Sequence, residues 1–219
     1  MLLHEIKYLL SKEVSIEWRQ KYAFGGIMLY AVSTVFVCFL SFKRIIDVPT
    51  WNALFWIIVL FGSVQAVSKS FLNERKERLL YLYSITSPQG MILAKIGYNA
   101  ILVILVALLS FAFYVLFIGN EVQNLGLFVL NIIIASFGFS AILSLMSAIA
   151  AKTNNNLTLM SILSFPILLP LLMLAIRLSK NAIDGLAWSV NLKFVLAILA
   201  LDVVVVTLSY LLFPYLWRD

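Results

Sequence analysis

One cysteine and one histidine are all the thiol and imidazole chemistry that the chain possesses. Cys38 stands alone inside an apolar run, so neither an intrachain disulfide nor a thiolate metal cluster can be built, and its setting suits a small buried residue. His4 lies outside every long apolar run, and no span offers an imidazole. No Gly-Lys pair occurs, which removes the Walker A phosphate loop and with it nucleotide hydrolysis by this chain. Charged residues make up only 12% of the sequence, with no paired intramembrane carboxylates and no nucleophile beside a base, so catalytic, metal and cofactor-binding residues are expected to be absent and the chain is read as no enzyme.

What is present is hydrocarbon. Of 219 residues, 63% are hydrophobic and 14% aromatic, and a mean hydropathy of +1.03 lies far outside soluble composition. Uncharged runs cover Tyr22 to Phe42, Val48 to Ser68, Ile96 to Asn120, Val122 to Ala151, Thr153 to Ile176, and Phe194 to Trp217 with one interruption at Asp202. Each is long enough to cross a bilayer as a helix of about 20 residues. The expected fold is therefore an all-α integral membrane protein with six transmembrane helices in a single domain over residues 1–219, leaving no room for a folded soluble domain. The first run is read as a span and not a signal peptide, because a charged segment precedes it and no small-x-small site follows. Gly119, Asn120 and Glu121 are the only break between the third and fourth runs, which makes those two an antiparallel hairpin.

The net charge of +6 is distributed as a membrane protein requires, beside the apolar runs, and nucleic acid is not an expected partner. Lys7, Lys12, Arg19, Lys21, Lys69, Arg75, Lys76, Arg78, Lys95, Lys152 and Arg218 fall on one side, against Lys43, Arg44, Arg177, Lys180 and Lys193 on the other. That asymmetry puts both termini in the cytoplasm, in contact with anionic lipid. Residues 1–21 read as an amphipathic helix lying on the inner leaflet, with Leu2, Leu3, Ile6, Leu9, Leu10, Val14 and Ile16 on one side and Glu13 and Glu17 spoiling that face.

Charge concentrates between the second and third runs, where Glu74 to Arg78 are five consecutive ionisable residues. If Ser70 to Tyr83 is helical, Phe71, Leu72, Leu79, Leu82 and Tyr83 share an apolar arc, and Ser87, Pro88 and Gly90 end the helix before the next span. The acidic residues add little to orientation but supply acceptors to a basic partner, so residues 69–90 are read as a cytoplasmic docking segment.

The order of an amphipathic helix, two spans, a charged segment, "LLYLYSITSP" and then "ILAK" resembles the permease subunits of ABC-2 type transporters. More closely, "LTLMSILSFPILLPLLMLA", Leu157 to Ala175, resembles the fifth span of the CcmB family, the permease of the cytochrome c maturation ABC complex. Phe71 followed by Glu74 is similar to the Phe-x-x-acidic pattern that such permeases present to their ATPase, although this chain reads "ERLLYLY" where the family often carries an acidic-Gly-Ser/Thr turn. The resemblance implies ATPase docking by Phe71, Glu74, Arg75, Glu77 and Arg78. It further implies ATP on a CcmA-like subunit, CcmC-like and CcmD-like membrane partners, a second copy of the chain, and a bacterial inner-membrane location. Haem is implied as a transported or handled ligand, yet no span offers an imidazole for axial ligation, and the six methionines are scattered as gap fillers are. Export of another substrate, a lipid, polysaccharide or drug, and a scaffold without an ATPase are the alternative readings.

Four features interrupt the apolar runs. Asp202, in "LALDVVVV", requires a partner or a wet cavity, and Asn131 is expected at a matching depth, within hydrogen-bonding reach. Ser136, Ser140 and Ser144 recur every four residues, a spacing that lets helices approach closely. Pro166 and Pro170 remove backbone donors and are expected to kink the fifth span.

Overall fold

A computed structural model describes residues 2–19, 22–42, 46–72, 86–152 and 157–218. Seven helices account for nearly all of them, with no strand among the described residues. They are α1 (Leu2–Arg19), α2 (Tyr22–Phe42), α3 (Val48–Leu72), α4 (Pro88–Phe117), α5 (Leu125–Lys152), α6 (Leu157–Ile183) and α7 (Trp188–Arg218). Six of these, α2 to α7, are long and apolar enough to cross a membrane, where a helix satisfies its backbone N–H and C=O groups within its own segment without water.

The helices overrun the uncharged runs because helix formation stops at capping chemistry and not at the first charge. α4 begins eight residues before Ile96, at a start signal written into the sequence: Ser87 as N-cap, its Oγ accepting from Gly90 N at 3.1 Å, and Pro88 in the first turn. Ser87, Pro88 and Gly90 thus open the third span, while the helix expected to end at them lies, beyond Leu72, outside the described residues. α6 continues past Ile176 through Arg177 and Lys180, and α7 starts at Trp188, six residues ahead of Phe194. The break between α4 and α5 falls where expected, with Gly119 at φ +117°, a conformation that a side chain would strain. Asn124 then opens α5, its Oδ1 accepting from Leu127 N at 3.1 Å.

α5 lies at the centre, packed against α3, α4, α6 and α7. Its residues from Phe139 to Ala148 are all buried. The serine row explains how α4 comes so close: Ser140 Oγ donates to Ile96 O at 2.9 Å, and Ser144 Oγ accepts from Asn99 Nδ2 at 2.7 Å. The periphery is apolar where lipid would meet it. Ile162, Phe165, Leu169 and Met173 of α6 are exposed, as are Leu196, Val203 and Leu211 of α7.

At one end of the bundle Trp51, Phe55, Phe111, Tyr114 and Phe128 form a continuous aromatic cluster, with ring centroids 4.8 to 6.2 Å apart. Tyr114 Oη donates to Trp51 O at 2.9 Å, so the buried hydroxyl is satisfied. Beside it, Ser179 Oγ accepts from Trp56 Nε1 at 2.8 Å and lies 2.6 Å from Asn52 Oδ1, while Asn52 Nδ2 donates to Ile176 O at 2.9 Å. These bonds fasten α3 to α6.

Candidate functional site

The opposite end gathers α1, the end of α3, the start of α4 and the end of α7. α1 buries Leu9, and Leu10 rests on Gly97 of α4. Its inward side therefore packs on protein, whereas the sequence suggested a helix lying on the leaflet through that face. Its acidic residues are the fasteners. Glu5 accepts from Ser87 N, and Ser87 Oγ lies 2.9 Å from Glu5 Oε2, which sets a carboxylate on the N-terminus of α4 where backbone N–H groups and the helix dipole favour negative charge. A Cβ on Gly90 would fall 2.8 Å from Ser87 Oγ and 2.9 Å from Glu5 Cδ, so the glycine makes room for the cap.

One turn further into the bundle, Lys95 Nζ is 3.3 Å from Glu13 Oε1, with 4% and 13% of the respective side chains exposed. The same ammonium lies 5.4 Å from the centroid of Phe71, whose ring packs on Phe213 at 5.6 Å. Glu13, which spoils the apolar face of α1 on a helical wheel, is thus the partner of a buried cation. Both roots of the segment between α3 and α4 are held by α1: Ser87 directly through Glu5, and Phe71 through Lys95 and Glu13.

Phe71 is 4% exposed, turned into this bundle instead of presented from it, so any contribution it makes to docking is as an anchor. Glu74, Arg75, Glu77 and Arg78 lie outside the described residues, as does the proposed helix beyond Leu72.

A second site lies at the junction of α5, α6 and α7. Asp202 is 3% exposed, and neither carboxyl oxygen has a hydrogen-bond partner among the described residues. A Cβ on Gly138 would overlap Asp202 Oδ1 and would lie 2.6 Å from Leu171 Cδ2. The missing side chain of Gly138 is therefore the space that the carboxyl group fills, with Leu171 closing it from α6. Transfer of an aspartate to the centre of a membrane helix costs about 2.5 to 3.5 kcal/mol on insertion scales, which makes an unpartnered one conspicuous.

Asn131 is not its partner. Asn131 Nδ2 donates to Ala175 O at 2.8 Å, and the expected bond to Asp202 is not formed. The reason is register: α7 starts at Trp188, so Asp202 sits about 9 Å deeper than a start at Phe194 would give. α5 and α7 run in the same direction, and Asp202, 14 residues from its helix start, comes level with Gly138, 13 residues from its own. Pro166 and Pro170 are on the exposed side of α6, which runs helical through both, and Pro170 immediately precedes Leu171 of the junction.

Sequence reasoning missed Gly138, Glu5, Glu13 and the Asn52–Ser179–Trp56 bonds. Of these contacts only the cap had a signal in residue type, Ser87 followed by Pro88, and the sequence suggested a helix end there instead of a start. Among the described residues no three His, Cys, Asp or Glu side chains come together as a metal site would need. Comparison with curated proteins gives no match. The family model described as CcmB protein matches residues 4–214, nearly the whole chain, with five of the candidate spans and all but the last two residues of the sixth. The chain belongs to the CcmB protein family.

Proposed function

We propose that this chain is the membrane permease subunit of an ABC complex serving cytochrome c maturation, with a role in haem export or in release of the haem chaperone at the outer face of a bacterial inner membrane. The family match over residues 4–214 is the observation that carries this reading. A separate CcmA-like ATPase hydrolyses ATP, with CcmC-like and CcmD-like subunits beside the bundle and a second copy of this chain completing the assembly. The ATPase grips the charged segment through Glu74, Arg75, Glu77 and Arg78, and Phe71 anchors that segment from inside. Closure of the ATPase then pulls on the two roots of the segment, Phe71 on α3 and Ser87 on α4. Because Glu5 and Glu13 tie both roots to α1, the pull moves α3, α4 and α1 together. Both termini lie on the cytoplasmic side in this arrangement, since six spans return the chain to the side on which it starts.

Co-purification tests the docking step. Glu74→Lys with Glu77→Lys should lower recovery of the ATPase about tenfold, a loss of about 1.4 kcal/mol in affinity; unchanged recovery refutes the contact. Deletion of the gene tests the role itself: c-type cytochromes should lose covalent haem, and normal cytochromes c in the deletion strain would overturn the assignment.

A further inference from the structure

We propose that Asp202 is a proton-binding site at the junction of α5, α6 and α7, and that its occupancy sets whether α7 closes onto α5. The geometry of the junction carries the proposal. The carboxyl group is buried, neither oxygen has a hydrogen-bond partner among the described residues, and it occupies the notch that Gly138 leaves in α5. Leu171 of α6 closes the notch with an apolar methyl group.

Among the described residues no charged group is paired with this carboxyl group. α5 carries no ionisable side chain before Lys152, at its far end, and α6 carries none before Arg177 and Lys180, both with exposed side chains. α4 brings Lys95, Tyr98 and Tyr114, none of which hydrogen-bonds to Asp202. Lys95 is engaged with Glu13 and Phe71, at the level of Phe213, about 16 Å along α7 from Asp202. On α7 itself, Lys193 lies over Phe194, while Tyr210 and Tyr215 are exposed.

A neutral carboxylic acid fits such a surround, whereas a carboxylate needs water or a cation. On release the O–H bond breaks, its electron pair stays on the carboxylate, and the proton passes to water. That water can reach Asp202 only if α7 withdraws from Gly138. Proton binding and the α5–α7 seam are therefore linked, in a way that does not depend on what the chain transports or on its ATPase.

The test uses the full chain in lipid nanodiscs. Infrared difference spectra between mildly acidic and mildly alkaline buffer should contain the carbonyl stretch of a protonated carboxylic acid. The band should shift on [13C]aspartate labelling and vanish in Asp202→Asn. The other aspartates, Asp47, Asp184 and Asp219, lie outside the six candidate spans, and the labelled parent protein keeps the test valid should the variant fail to fold. For the seam, Cys38→Ala with Ile133→Cys and Leu196→Cys places spin labels on the exposed sides of α5 and α7. A longer inter-label distance should grow in with rising pH, and the same pair should not respond in Asp202→Asn. Absence of a buried, label-sensitive carbonyl band would overturn the proposal, and so would a distance that ignores pH in the parent.

Discussion

Glu13 on α1 and Lys95 on α4 form an ion pair of 3.3 Å, and the lysine is capped on its other side by the ring of Phe71. Burial of both side chains leaves little water to replace the carboxylate if it is removed. Glu13→Gln should therefore cost up to about 3 kcal/mol, the scale seen when one member of a buried pair is removed. Lys95→Met in the same background should recover part of that loss, because the methionine stem fills the space without a charge. Unfolding of the two single variants and the double variant in detergent closes the cycle, and additive effects would show that the pair is not coupled.

The cap on α4 makes a separate prediction. Ser87→Ala removes the Oγ that accepts from Gly90 N and contacts Glu5, and should cost about 1 kcal/mol. Glu5→Gln keeps the shape but removes the charge facing the helix dipole, with an expected loss of about 0.5 kcal/mol. Amide exchange at Gly90 and Met91 is the local readout, and it should rise further in Ser87→Ala than in Glu5→Gln.

Gly138 is predicted to resist any side chain. Gly138→Ala puts a methyl group where Asp202 Oδ1 lies, and overpacking of this kind costs about 1 to 3 kcal/mol. Gly126→Ala on the same helix is the control, since the nearest atom to its Cβ would be 3.8 Å away, and it should leave the thermal midpoint unchanged.

Asp47 gives a pH dependence outside the membrane. Hydrogen bonds from Thr50 hold its carboxyl below the usual carboxylate range at the start of α3, with Thr50 N at 3.3 Å from Oδ2. A lowered folded-state value means that its contribution is fully present above the unfolded value, near pH 4, and is lost as pH falls through the folded one. Exchange protection of the Thr50 amide should accordingly drop on acidification below about pH 4 in the parent and stay level in Asp47→Asn.

The six spans were legible because lipid imposes one requirement, an unbroken apolar stretch, and residues such as Tyr22 to Phe42 meet it without ambiguity. Their ends were less so. Arg177, Lys180 and Lys193 lie inside helices because a long side chain can carry its charge away from an apolar surface, so a charge does not end a span. Misplacing the start of α7 was enough to pair Asp202 with Asn131 in place of Gly138. The junction itself could not be read, because a glycine in an apolar helix looks the same whether it faces lipid or receives a carboxyl group. Glu5 and Glu13 were hidden for a related reason: on a wheel they blemish an amphipathic face, and only the position of α4 turns them into contacts.

The central placement of α5 has a mechanical consequence. A helix with lipid on one flank can absorb a change of volume by swelling outward, but from Phe139 to Ala148 α5 has no such outlet. Any displacement imposed on it must be passed to α3, α4, α6 or α7, so this helix acts as a common shaft through which strain at one end of the protein is felt at the other.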